Sequence, residues 1–215
     1  MMNVVIRPEK SMTDANRGTR ASLLIRIRDA DDADAWQQFS EIYSELIYRY
    51  CVKRGLQDFE ARDVTQDVLQ KVFQKANDFE YDPTKGTFRG WLFMTTLNQI
   101  RDRSRKNAKQ ARGTGRSSVH RALDAVDARQ EQETWENDYR WRLFLWAAEK
   151  SKADFRDATY QAFWRVTMEN QSAKQVAEKM EMTVGAVHIA KSRVMSRIRE
   201  VVQQVDHEST FLDIQ

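Results

Sequence analysis

Residues 172–194 read SAKQVAEKMEMTVGAVHIAKSRV, and the spacing of caps and apolar residues separates two helices at close quarters. Ser172 and Thr183 are residue types whose side-chain oxygens accept from the free N–H groups of a helix's first turn. Behind each begins a helical apolar pattern: Val176 and Met180 in the first segment, Val187, Ala190 and Val194 in the second. Ala177 is small where the two segments would cross. The spacing predicts a short helix, a turn of three or four residues around Glu181, and a longer helix, which is a helix-turn-helix.

Packing of the apolar positions against each other leaves His188, Ile189, Ser192 and Arg193 facing outward near the start of the second helix. That end of such a helix reaches base edges in a major groove. Arg193 can donate twice to guanine, Ile189 can touch a thymine methyl, and Lys191, Arg197 and Arg199 suit phosphates. An ordinary helical hairpin with a solvated face has the same spacing, but it gives an outward Ile189 nothing to do.

Upstream, the chain is equally helical in pattern. Its 215 residues contain only 7 Gly and 2 Pro, with 41% hydrophobic and 31% charged residues, as expected of a soluble helical protein. Trp36, Phe39, Ile42, Tyr43, Leu46, Ile47 and Tyr50 share one helix face that ends at Gly55. Val64, Val68 and Val72 form the strip of a second helix, with Leu69 and Phe73 beside it. Asn77 to Thr87, with Asp82, Pro83 and Gly86, interrupts the period. A third helix starts near Phe88 and runs to about Lys106. Trp135, Tyr139, Leu143 and Trp146 resume the pattern, followed by Phe155, Thr159, Ala162, Phe163 and Val166. No strand alternation or internal repeat stands out.

The expected fold is all-α: two small helical domains joined by a flexible basic linker, the C-terminal one containing the helix-turn-helix. The boundaries read from the sequence are a flexible tail at 1–18, a first domain at 19–106, a linker at 107–133, a second domain at 134–205 and a tail at 206–215. Either Met1 or Met12 can be the start.

The net charge of +3 and pI of about 9.0 are mildly basic. Their distribution says more: Arg101, Arg103, Arg105, Lys106, Lys109, Arg112 and Arg116 stand against Asp102 alone. Such local excess points to a polyanion, although a solvated linker can carry it too. In the segment 63–73, DVTQDVLQKVF, the apolar strips leave Asp63, Gln66, Asp67 and Gln70 on one outer face, either solvated or a docking surface. In TFRGWLFMTTLNQIRDRSRK, residues 87–106, Asn98, Arg101, Arg103 and Arg105 grow denser toward the end, and Phe79 and Tyr81 precede it. Aromatics beside cations suit single-stranded DNA, because bases stack on rings while cations hold phosphates; the same two aromatics can instead lie in the core.

The order DVTQDVLQKVF, loop, FRGWLFMTTLNQIRD, linker, helix-turn-helix resembles the extracytoplasmic-function (ECF) sigma factors over about Thr19 to Val202. The resemblance implies a transcription initiation factor. Its first domain would bind the clamp of core RNA polymerase and the −10 promoter element, and its second the flap and the −35 element. It implies that Asp63, Gln66, Asp67 and Gln70 dock on the polymerase, that the loop holding Phe79 and Tyr81 captures a flipped −10 base beside Asn98, Arg101, Asp102 and Arg105, and that His188, Ile189, Lys191, Ser192, Arg193, Arg197 and Arg199 meet the −35 DNA. The basic linker would thread toward the polymerase active centre. An anti-sigma factor is a further partner the resemblance allows.

Two departures stand out. Many relatives carry Gly in the turn where this chain has Glu181, so a different turn geometry is expected. Arg or Ser is common at His188 and Ile189, so no −35 preference transfers. No sensory domain is expected after the last helix.

Other classes fit less well. Cys51 is the only cysteine, so no intrachain disulfide forms and a reducing cytoplasm is consistent. No apolar run approaches the roughly 18 residues of a membrane span, and no signal peptide is evident. His120, His188 and His207 are scattered, and no phosphate-binding loop, metal pattern or nucleophile elbow appears, so neither an enzyme nor a cofactor is expected. A stand-alone helix-turn-helix regulator explains the C-terminal half equally well, but leaves the Asp63–Gln70 face and the aromatic loop without a role. It would bind duplex promoter DNA alone, whereas a sigma factor needs core polymerase.

Overall fold

The computed structural model describes residues 23–76, 87–110 and 128–206. The expected tail at 1–18, residues 207–215 of the expected tail at 206–215, Phe79 and Tyr81, and residues 111–127 of the expected linker at 107–133 lie outside the described residues, whereas Asp206 is described and buried. Those described are helical, with no strand among them: α1 (Leu23–Arg26), α2 (Ala33–Lys53), α3 (Asp58–Lys75), α4 (Phe88–Gln110), α5 (Ala128–Ser151), a 3-10 turn at Lys152–Asp154, α6 (Asp157–Thr167), α7 (Ala173–Lys179) and α8 (Val184–Val205).

Local chemistry sets the ends. Asp32 caps α2 by accepting from the Ala35 N–H at 2.9 Å, and Arg26 ties α1 to this cap through Asp32 at 2.8 Å and Asp34 at 2.9 Å. Gly55 stops α2 at φ 87°, while the Leu56 N–H reaches back to the Cys51 carbonyl at 3.1 Å. This closure needs a left-handed residue, which glycine supplies without strain.

Both edges of the linker are shorter than composition indicates. α4 continues to Gln110 rather than stopping at Lys106, and α5 begins at Ala128 rather than near residue 134. Residues 128–133, ARQEQE, are polar but are also strong helix formers. Polarity alone does not separate a solvated helix from a linker.

The interior carries the apolar strips read from the sequence. Phe39, Ile42, Leu46 and Ile47 of α2, Val64 and Val68 of α3, and Leu92, Phe93, Leu97 and Ile100 of α4 are buried. Fully burying one such large side chain stabilises the fold by about 1.5–3 kcal/mol. Three buried hydroxyls stay within their own helices: Thr65 donates to the Ala61 carbonyl at 2.7 Å, Thr96 to Leu92 at 2.8 Å and Ser151 to Ala147 at 2.7 Å.

One hydrophobic core runs through both halves, from Leu23 to Val205. Trp135 and Tyr139 of α5 are buried against α2 and α4: Tyr139 stacks on Tyr43 at 5.4 Å between centroids, and Trp135 meets the Tyr50 ring edge-on at 5.4 Å. A smaller core of Ala162, Val176, Ala177, Val187 and Ala190 joins α6, α7 and α8.

Candidate functional site

Three exposed faces carry the residues singled out from the sequence. On α3, Asp63, Gln66, Asp67 and Gln70 are all exposed, while Val64, Val68 and Val72 point inward. Asp63 is not free, because Arg103 of α4 donates to it at 2.9 Å. Phe59 and Phe73, 58% and 52% exposed, fall on the same stripe at either end. The period placed Phe73 beside the buried strip. Near the end of α3 its ring instead meets Trp36 at 5.0 Å between centroids and leaves half its surface open. Phe59 was missed entirely, although its spacing of four from Asp63 and seven from Gln66 was readable. An acidic and amide stripe with an exposed aromatic at each end has the composition of a protein contact surface, where aromatic anchors supply most of the energy.

On α4, Asn98, Asp102 and Arg105 are exposed and spaced by four and three, so they share a stripe. Arg105 lies 3.5 Å from Asp102. Arg101 is half-buried beside them, and its Nε has no hydrogen-bond partner among the described residues.

The third face lies on α8. Ser172 caps α7 in a capping box with Gln175, and Thr183 caps α8 by accepting from the Ala186 N–H at 3.1 Å, as their residue types predict. Between the helices, Glu181 adopts φ 54°, and the Met182 N–H bonds to the Ala177 carbonyl at 2.9 Å. The expected change of turn geometry is therefore corrected: the turn takes the left-handed conformation that glycine favours, with glutamate bearing the strain.

His188, Ile189, Ser192, Arg193 and Arg199 are exposed, Ile189 by 61%, and Lys191 is half-buried. Arg197 is engaged with Asp154 at 2.6 Å and Glu200 at 3.1 Å, which raise its pKa. A depression of about 210 Å³ is lined by Thr167, His188, Lys191, Ser192, Met195 and Arg199. Thr167 of α6 was not read from the sequence; its hydroxyl is buried and has no partner among the described residues.

Among the described residues, no three His, Cys, Asp or Glu side chains converge as metal ligands would, and no helix is long and apolar enough to cross a membrane.

The segment that carries the first two faces is similar to known proteins. Residues 39–110, which span α2, α3 and α4 from Phe39, match the family model described as Sigma-70 region 2. The chain is 30% identical over 97 residues to the ECF RNA polymerase sigma factor RpoE of Cereibacter sphaeroides, a match covering 45% of this chain and 52% of that protein. It is 25% identical over 75 residues to the ECF RNA polymerase sigma factor SigE of Mycolicibacterium smegmatis, covering 35% and 28%. The chain thus spans about half the length of the first relative and less of the second. The family match and both relatives support an ECF-type sigma factor.

Proposed function

We propose that this chain is an ECF-type sigma factor that binds core RNA polymerase and directs it to promoters. The observation that carries the reading is the outer face of α3. Within the segment that matches Sigma-70 region 2, the stripe Phe59, Asp63, Gln66, Gln70 and Phe73 is left open, with Asp67 beside it. This face docks on the polymerase, with the two phenyl rings as anchors and the carboxylates and amides as its polar middle.

The stripe Asn98, Asp102 and Arg105, with Arg101, faces the −10 element. Phe79 and Tyr81, before α4 in sequence, stack on its unpaired bases. α7 and α8 act as a helix-turn-helix at the −35 element, where Ile189 and Arg193 meet base edges and Lys191 and Arg199 line the path of the phosphates.

Run-off transcription with core polymerase, on promoters upstream of the gene's own neighbours, tests the whole reading. Transcripts that start at defined sites only when this protein is present support it. Specific duplex binding without polymerase, and no added transcript, would identify a stand-alone regulator instead.

A further inference from the structure

Three glycines fall among the described residues, and the fold accounts for two of them. Gly55 holds φ 87°, which closes α2. Gly90, near the start of α4, has no room for a side chain: a Cβ there would lie 3.3 Å from the Gln132 amide nitrogen and 3.3 Å from the Thr87 hydroxyl.

Gly185 is different. It is the second residue of α8, its φ lies outside the left-handed region, and it is exposed. A Cβ placed there meets nothing nearer than the Thr183 hydroxyl at 4.0 Å, an ordinary contact. Alanine would therefore fit, and within a helix glycine is the less favourable residue because it gives up more backbone freedom. The cap does not need it either. Thr183 accepts the Ala186 N–H through its side chain and the Val187 N–H through its carbonyl, whichever residue stands at 185.

The missing side chain leaves clearance on the outer face. Residues three or four apart lie above one another along a helix. Gly185 is thus in line with Ile189, which is 61% exposed, and beyond it with Ser192 and Arg193, both exposed. Beside this line runs the depression lined in part by His188, Lys191 and Arg199. The line starts with no side chain, continues with one apolar side chain and has cations at its margin. An aliphatic group in the middle suits base edges, and flanking cations suit the phosphates on either side. Glycine is also the residue that lets a backbone come closest to a ligand.

Resting on the sigma-factor reading, we infer that Gly185 is a specificity-determining residue: it sets how deeply α8 seats in the major groove at the −35 element, and so whether Ile189 and Arg193 reach their bases. A methyl carbon stands about 1.5 Å from Cα and keeps other carbons about 3.5–4.0 Å away. Hydrogen bonds to base edges span only about 2.7–3.2 Å, so lifting the helix by on the order of 1 Å breaks them. Replacing Gly185 therefore moves stability and −35 recognition in opposite directions.

The test uses the full chain with core polymerase on two promoters that share a −10 element. One carries the −35 sequence that the parent protein selects from a randomised promoter library, and the other has that element scrambled. The readout is the ratio of run-off transcript from the two. Gly185→Ala is expected to raise Tm by about 1–4 °C and to cut the ratio about tenfold, while transcription from the scrambled promoter and polymerase affinity are kept. Gly185→Leu, another good helix former, is expected to cut it further, because the effect follows side-chain size. Gln203→Ala, at an exposed position near the end of α8, adds helix propensity without bulk at the first turn and should leave the ratio unchanged.

Three results overturn the inference: a ratio kept by both Gly185 variants, a ratio lost equally in Gln203→Ala, or a Tm lowered by Gly185→Ala, which would make the glycine structural. If the parent protein gives no polymerase-dependent transcript but draws a defined site from a library of random duplexes, the sigma-factor reading falls and affinity for that site takes over as the readout. Loss in Gly185→Ala, and more in Gly185→Leu, then supports the seating role, and equal affinity overturns it. A parent protein that selects no sequence by either route overturns the inference together with the sigma-factor reading.

Discussion

The Glu41 carboxylate on α2 accepts the indole N–H of Trp146 on α5 at 2.8 Å, across 105 positions of sequence. Hydrogen bonds from Gln37 and then Trp146, with the Lys150 ammonium nearby, hold the Glu41 pKa below its ordinary 4.5. A carboxyl whose folded pKa is depressed adds stability that is complete above its unfolded pKa and disappears as pH falls through the folded value. The stability gap between the parent protein and Glu41→Gln should therefore be constant above about pH 5 and shrink on further acidification. Urea unfolding of both proteins between pH 6 and pH 3 measures it. A gap that widens in acid contradicts the assignment.

Docking through α3 predicts separable effects. Reversing charge at Asp63 and Asp67 together should weaken binding to core polymerase while the fold survives, since both side chains are exposed. The Asp63–Arg103 bridge is the structural part of that change, and a surface bridge of this kind is worth about 0–1 kcal/mol. Asp67→Lys alone avoids that bridge. Phe59→Ala should cost more binding than either acid, by about 2 kcal/mol if it is an anchor. Pull-down titration with folded variants reads this directly, and unchanged affinity in all of them removes the docking role.

On α8, Arg193→Ala should cost about 1–3 kcal/mol on promoters with the matching −35 base if the side chain makes two bonds to that base. Arg199→Ala should weaken binding evenly across sequences, as loss of a phosphate contact does. Arg197→Ala should act mainly through the Asp154 contact that it loses. Equal, sequence-independent losses from Arg193→Ala and Arg199→Ala count against base reading by Arg193.

The turn between α7 and α8 offers a stability gain. A non-glycine residue in the left-handed region costs about 1–2 kcal/mol, and glycine returns about 0.4–1 kcal/mol of that through the freer unfolded chain. Glu181→Gly should raise stability by about 0.5–1 kcal/mol, the difference of those two terms, and calorimetry will show it as a higher Tm. A lower Tm would mean the carboxylate has a compensating role at φ 54°.

Cys51 is buried, and its thiol pKa is pushed up to about 12 by that burial. Because the thiolate is the reactive form, maleimide or disulfide reagents at pH 8 should label native protein slowly and unfolded protein fast. Rapid native labelling would mean that α2 opens readily.

Much of this was legible in the residues, for identifiable reasons. A 3.6-residue period is a statement about one face of one helix, so the buried strips of α2, α3 and α8 could be read directly. The caps Ser172 and Thr183 act within three residues and were equally visible. Which helix each strip meets was not visible, because that depends on pairings far apart in the chain. Nothing near Tyr139 indicates that it will stack on Tyr43, or that its hydroxyl will find Asp206. The open α3 face was legible as a stripe of polar residues. Its phenyl rings were not, because an aromatic on an amphipathic helix reads as core until its surroundings are known.

Thr65, Thr96 and Ser151 spend their hydroxyls on their own helix backbones, whereas the buried Tyr139 and Tyr160 hydroxyls reach other elements, at Asp206 and the Ala148 carbonyl. Apolar side chains are poor discriminators of partner, and matching falls also to charged pairs: the little-exposed Arg54 with Glu131 and Arg89 with Glu136 and Asp206, and the more open Lys150 with Glu41. Molar salt, which screens exposed charges and largely spares buried ones, should loosen Lys150 from Glu41 while Arg54 with Glu131 and Arg89 with Asp206 keep their helices in register.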